Sequence, residues 1–123
     1  MNQNEKPTIL VVDDEAAIQD VVAMALELEG CNVMLASSRD HALELIKETP
    51  PHAIFLDCAM PGLTIEPFLQ QVRVISPSTL VILMTAATCA ARKAEELRVP
   101  SYLAKPFEIN ALTRCVRHWM ASA

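Results

Sequence analysis

Thr8-Ile9-Leu10-Val11-Val12-Asp13-Asp14, close to the start of the chain, reads as a strand covered on both faces and ended by two acids. A strand with one wet face alternates apolar and polar side chains, whereas this run is almost continuously apolar, as in a parallel sheet sandwiched between helices. From about Glu15 to Glu29 the period changes. Ile18, Val21, Val22, Ala25 and Leu26 recur at helical spacing, and Gly30 supplies a stop. A doubly buried strand leading directly into an amphipathic helix is the first half of a βαβ unit.

The same alternation continues outward along the chain. Further strands are expected at Asn32 to Ala36, Ala53 to Leu56, Leu80 to Met84 and Ser101 to Ala104. A second helix follows Ser37-Ser38, either of which can cap it. It turns Ala42, Leu43 and Ile46 inward and ends at Pro50-Pro51. The third starts after Thr64, with Pro67 tolerated in a first turn whose N–H groups lack intrahelical partners, and points Leu69 and Val72 at the sheet. The fourth, about Cys89 to Arg98, is alanine-rich and weakly amphipathic. A fifth, from Glu108, carries Ile109, Leu112, Val116 and Trp119 or Met120 on one stripe. Five βα units in 123 residues form an open doubly wound sheet, since a closed eight-unit barrel needs roughly 250.

Composition agrees with one domain over residues 1–123, with only the first six expected to be flexible. The chain is 52% hydrophobic with 2 glycines, enough apolar surface to offset the entropy of ordering. Lys+Arg 10 against Asp+Glu 15 gives a net charge of −5, and no basic run is present. That argues against a nucleic-acid or anionic-membrane surface, where binding rests on phosphate neutralisation. The longest apolar runs, such as Leu80 to Met84, fall far short of the roughly 20 residues that cross a bilayer. The polar N-terminal residues lack the features of a signal peptide, so a cytoplasmic location is expected. Cys31, Cys58, Cys89 and Cys115 form no CxxC pair. Buried, reduced thiols are therefore expected.

In sheets of this type, functional residues collect at the carboxyl ends of the strands. Here those ends carry Asp13-Asp14, Asp57, Thr85-Ala86 and Lys105-Pro106. Each has an ordinary explanation alone, because an aspartate after a strand is commonly a cap or turn residue, Thr85 could cap a helix, and Lys105 could be solvated. Their combination is less ordinary. Carboxylates gathered at one spot repel unless a hard cation such as Mg²⁺ neutralises them through oxygen ligands. A lysine and a hydroxyl beside that cation are useful when an incoming phosphoryl group brings more negative charge.

These residues resemble the receiver domain of bacterial two-component response regulators, including the single-domain chemotaxis type. The resemblance runs from Ile9 to about Met120. It rests on Ile9 to Glu15, Asp57-Cys58-Ala59-Met60-Pro61-Gly62, Met84-Thr85-Ala86 and Tyr102-Leu103-Ala104-Lys105-Pro106-Phe107. It implies a flavodoxin-like (βα)5 fold with strand order 2-1-3-4-5, which brings Asp14 to Asp57. Asp57 would accept a phosphoryl group from a histidine kinase or phosphotransfer protein. Asp14, Asp57 and the backbone carbonyl of Ala59 would ligate Mg²⁺, with Asp13 acting through water. Lys105, the Thr85 hydroxyl and the Ala86 N–H would hold phosphoryl oxygens. Thr85 and Tyr102 would act as the switch, remodelling the surface of helix 4, strand 5 and helix 5 for a downstream protein or a covalently linked output domain. In the family, Pro106 follows a cis peptide bond.

Several residues depart from the family pattern. Ile65 stands where a glycine is common, Pro67 comes early in helix 3, and Pro100-Ser101 replaces an acidic pair, so the loop from Met60 to Glu66 is expected to be reshaped. Ala59 and Ala87, two residues beyond Asp57 and Thr85, cannot orient an attacking water, which implies slow self-hydrolysis. A pseudo-receiver scaffold that binds partners without phosphorylation is the alternative, although it would more naturally lack one of Asp14, Asp57, Thr85 or Lys105. A Mg²⁺-dependent phosphatase would want a DxD in strand 1, and a flavin-binding protein a Ser/Thr/Gly phosphate cradle; neither is present.

Overall fold

Strands and helices alternate strictly along the chain: β1 Thr8–Val12, α1 Ala16–Leu28, β2 Asn32–Ala36, α2 Arg39–Glu48, β3 Ala53–Asp57, α3 Ile65–Ile75, β4 Leu80–Ala86, α4 Ala90–Glu96, β5 Ser101–Lys105 and α5 Ile109–Ser122. The computed structural model describes residues 6–60, 64–86, 88, 90–99, 101–105 and 107–122. Pro61, Gly62, Ala87, Cys89, Pro100 and Pro106, singled out above, lie outside the described residues.

All strands are parallel, in the order β2-β1-β3-β4-β5. Every residue of β3 is buried, as are all of β1 after Thr8, which matches the apolar runs at 9–12 and 53–56. The edge strand β2 is largely exposed or half-buried. Strand alternation splits the core in two. Leu10, Val12, Ile54, Leu56 and Leu83 face one side, under Ile46 of α2, Phe68 and Val72 of α3, and Ala94 of α4. Ile9, Val11, Phe55, Ile82, Met84 and Leu103 face the other, under Val22 and Leu26 of α1 and Leu112 and Val116 of α5. Fully burying one such side chain stabilises the fold by roughly 1.5–3 kcal/mol.

Three strands run further than their apolar patterns suggest, ending in Asp57, Ala86 and Lys105. Parallel pairing continues past the apolar residues, with Asp57 opposite Met84 and Ala86 opposite Lys105, and the Cys58 N–H donating to Met84 O at 3.0 Å. A polar side chain does not stop a strand whose backbone has a partner. The polar residues are thereby held on the rigid sheet instead of on loops.

Helix ends follow from local chemistry. Ser38, not Ser37, caps α2, its Oγ accepting from the His41 N–H at 3.2 Å. Gly30, at φ +89°, ends α1, with its own N–H bonded to Glu27 O and that of Cys31 to Leu26 O. The same pair of bonds ends α4 sooner than its alanine-rich sequence suggests. The Arg98 N–H reaches Glu95 O and the Val99 N–H reaches Ala94 O, with Arg98 left-handed at φ 56°. A non-glycine residue there costs about 1–2 kcal/mol, and burial of Val99 beside Ala94 offsets it. Ile65 opens α3 and is buried in the core. Trp119 and Met120 both pack against the α1/α5 core. Ile109 and Val21, expected to face inward, are 44% and 46% exposed. Periodicity identifies a helix face; it does not say how far along or around the helix the sheet covers it.

Candidate functional site

Asp13, Asp57 and Lys105 come together although no two of them share a strand. Asp57 ends β3, Lys105 ends β5, and Asp13 follows β1, its N–H bonded to Ala36 O of β2 at 3.1 Å. The Lys105 ammonium donates to Asp13 Oδ2 at 3.1 Å and lies 3.4 Å from Asp57 Oδ1. Asp13 and Asp57 are buried at 0% and 2% exposure, while Asp14 is exposed. Backbone N–H groups complete the site: Glu15 donates to Asp13 Oδ1 at 2.9 Å and Ala59 to Asp57 Oδ1 at 3.0 Å.

Carboxylate oxygens of Asp13, Asp14 and Asp57 lie within 4.8 Å of one another. Three carboxylates against one ammonium leave two negative charges unbalanced, which is costly in a partly dry setting. On Lys105, burial is the largest single influence and lowers the ammonium's pKa. The hydrogen bond and charge of Asp13, joined by Asp57, outweigh it and hold the pKa above the usual lysine value. Lys105 is therefore a fixed positive charge, not a proton donor at neutral pH.

The donor set fits a hard divalent cation such as Mg²⁺, since every donor is oxygen. Both Asp13 oxygens are already engaged, by Lys105 and by the Glu15 N–H. On Asp57, the Ala59 N–H and Lys105 both meet Oδ1. Thr85 is buried and Ala86 exposed, and both line a cavity of about 610 Å³ together with Asp14, Asp57, Ala59 and Lys105. Cys58 packs against the α2/α3 core, as expected from alternation after Asp57. Burial pushes the thiols of Cys31 and Cys115 up, with Glu29 adding to the effect at Cys31, so both stay protonated and structural. Tyr102 points outward at 44% exposure, beside buried Leu103.

Sequence reading overlooked two contributions. Gln19 of α1 donates from Nε2 to Asp13 O at 2.6 Å and to Ala36 O at 3.3 Å, tying the helix to the ends of β1 and β2. Ile18, Val21 and Val22 of α1, with Phe107, form an apolar wall of the cavity. The helical spacing of the α1 residues was visible, but their place over the site depends on how α1 crosses the sheet.

Residues 9–117 match the model of the response regulator receiver domain. The chain is 34% identical to the transcriptional regulatory protein YkoG of Bacillus subtilis over 92% of its own length and 50% of that protein. It is 29% identical to sporulation initiation phosphotransferase F of the same species, over 95% of this chain and 94% of that one. It spans about half the length of the transcriptional regulators it matches. Among solved structures, the receiver domain of NtrX from Brucella abortus superposes with a TM-score of 0.83 at 28% identity, covering 94% of this chain and 99% of that one. A response regulator from Chloroflexus aurantiacus gives 0.84 at 28% identity, covering 95% and 99%. No helix among the described residues is long and apolar enough to cross a membrane.

Proposed function

The chain belongs to the response regulator receiver family, and we propose that it is a phosphorylation-dependent switch whose Asp57 accepts a phosphoryl group from a histidine kinase or phosphotransfer protein. One observation carries the reading most directly. Asp57 is held nearly buried, 3.4 Å from an ammonium that is charged at neutral pH, and opens on a cavity able to admit a donor. The carboxylate attacks phosphorus as the bond to the donor breaks, giving an aspartyl-phosphate. Lys105 then pairs with one phosphoryl oxygen, while the Thr85 hydroxyl and Ala86 N–H donate to another. Asp14, Asp57 and the Ala59 carbonyl are assigned to Mg²⁺, with Asp13 acting through water; when bound, the ion supplies the positive charge that phosphoryl transfer requires. Incubation with a phosphorylated histidine kinase should add one phosphoryl mass, and a chelator should prevent it.

Metal binding has its own readout. Cation binding to the folded state alone raises stability, by about 1.4 kcal/mol at ten times the dissociation constant. Thermal unfolding of the unphosphorylated protein should shift upward with Mg²⁺, and Asp14→Ala should remove most of that shift. An equal shift in both proteins would reassign the ligands.

A protein donor must cover the cavity mouth, and α1 offers a surface continuous with it. Ala17, Val21, Met24 and Leu28 are exposed at four-three-four spacing, Leu28 to 82%, and Val21 also lines the cavity. Such a seam suits a helical partner. Met24→Asp or Leu28→Asp should slow transfer from the protein donor about tenfold, a typical effect for an interface anchor. Labelling by acetyl phosphate, which needs no such contact, should change less than about twofold. On the output side, Thr85 moving toward the phosphoryl group and Tyr102 changing rotamer would alter the α4, β5 and α5 surface. A downstream protein or linked output domain would then bind by population shift.

A further inference from the structure

The cavity over Asp57, at about 610 Å³, is much larger than a phosphoryl group requires, and its lining divides by chemistry. The sheet edge and its loops contribute Asp14, Glu15, Asp57, Thr85 and Lys105. The wall formed by α1 and Phe107 is apolar, and Ile18 and Val21 stand within it without any role in holding phosphate. We propose that the site discriminates among small-molecule donors and takes acyl phosphates with an apolar acyl chain in preference to acetyl phosphate. The phosphoryl group lies against Asp57 and Lys105, and the chain lies along Ile18, Val21 and Phe107. This rests on Asp57 being the phosphoacceptor. In the reaction a bond forms between an Asp57 carboxylate oxygen and phosphorus. The bond from phosphorus to the acyl oxygen breaks, its electron pair leaves with the fatty carboxylate, and no proton is transferred.

Acetyl and butyryl phosphate isolate the effect, because acetate and butyrate are leaving groups of nearly equal basicity and differ only by two methylenes. Burying one methylene fully is worth about a fourfold change in binding, so two give a ceiling of about fifteenfold. Val21 is 46% exposed, so the wall is partly open to water. An advantage of about three- to fivefold is therefore expected in the second-order rate of phosphoryl incorporation, read by intact mass with Mg²⁺ present. In Ile18→Ser and Val21→Ser the butyryl-to-acetyl ratio should fall toward one. Because both donors are compared within each variant, a partial loss of folded protein cancels. A ratio near one in the unmodified protein, or a ratio unchanged in both variants, overturns the preference and leaves Asp57 as phosphoacceptor. Absence of labelling by both donors overturns the preference, and absence of labelling by a phosphorylated histidine kinase as well overturns the phosphoacceptor reading with it.

Discussion

Incubated with acetyl phosphate and Mg²⁺, the protein should gain the mass of one phosphoryl group, and Asp57→Asn should gain none. The amide matches the carboxylate in shape but has neither its charge nor its nucleophilicity, so labelling should fall below about a thousandth of the original rate. Unfolding would not be the cause. Asp57 shares its site with Asp13 and Asp14 within 4.8 Å, and neutralising one of three mutually repelling carboxylates relieves strain in the metal-free fold. The melting temperature of Asp57→Asn should accordingly be no lower than that of the parent. Label that survives in the variant and resists hydroxylamine would point to Cys58, the neighbouring thiol. A parent that takes no label under any donor would instead leave a pseudo-receiver scaffold as the function.

Lys105→Ala should slow phosphoryl incorporation by about a hundredfold or more, the usual cost of losing a preorganised partner for charge that develops in the transition state. The same change removes the cation between Asp13 and Asp57, whose side chains are 0% and 3% exposed. Stripping one member from a buried ion pair costs up to about 3–5 kcal/mol; Lys105 retains 21% side-chain exposure, so a smaller loss is expected. Mg²⁺ should restore part of that stability but not the rate, which separates the two roles by thermal unfolding and kinetics. The pH dependence has a definite sign. Because the folded pKa of Lys105 is raised above the 10.5 of a free lysine, its contribution is complete below that value and disappears as pH climbs through the folded pKa. The labelling rate should therefore show no decline assignable to Lys105 between pH 6 and about pH 10. An alkaline limb centred near pH 8 would contradict the carboxylate-locked ammonium.

Much of this architecture is local in origin and so was legible in the chain. The four-residue apolar runs at 9–12 and 53–56 marked strands, the first of them covered on both faces, and the runs of period 3.6 supplied the covering helices. Gly30 ended α1 because only glycine takes a left-handed residue at no cost. Where no such signal existed, local reading overran, as in α4, which ends on left-handed Arg98 with no glycine to announce it. Periodicity also assigned Val21 and Ile109 to inward faces that the sheet does not fully cover.

The chain by itself thus determined the alternation of strands and helices and the presence of acids, a hydroxyl and a lysine at the strands' carboxyl ends. The order of the strands was implied by family resemblance, since no local pattern encodes it. Tertiary structure alone decided which of two adjacent aspartates meets Lys105, 92 residues away. Asp13 turns into the sheet edge and is fully buried, while Asp14 remains exposed beside it. It also set α1 over Asp57, making an apolar wall of residues whose spacing said only that they share a helix face. The reason is physical. Period and capping act over a few residues, whereas the meeting of β1, β3 and β5 at one edge depends on parallel register across the whole sheet.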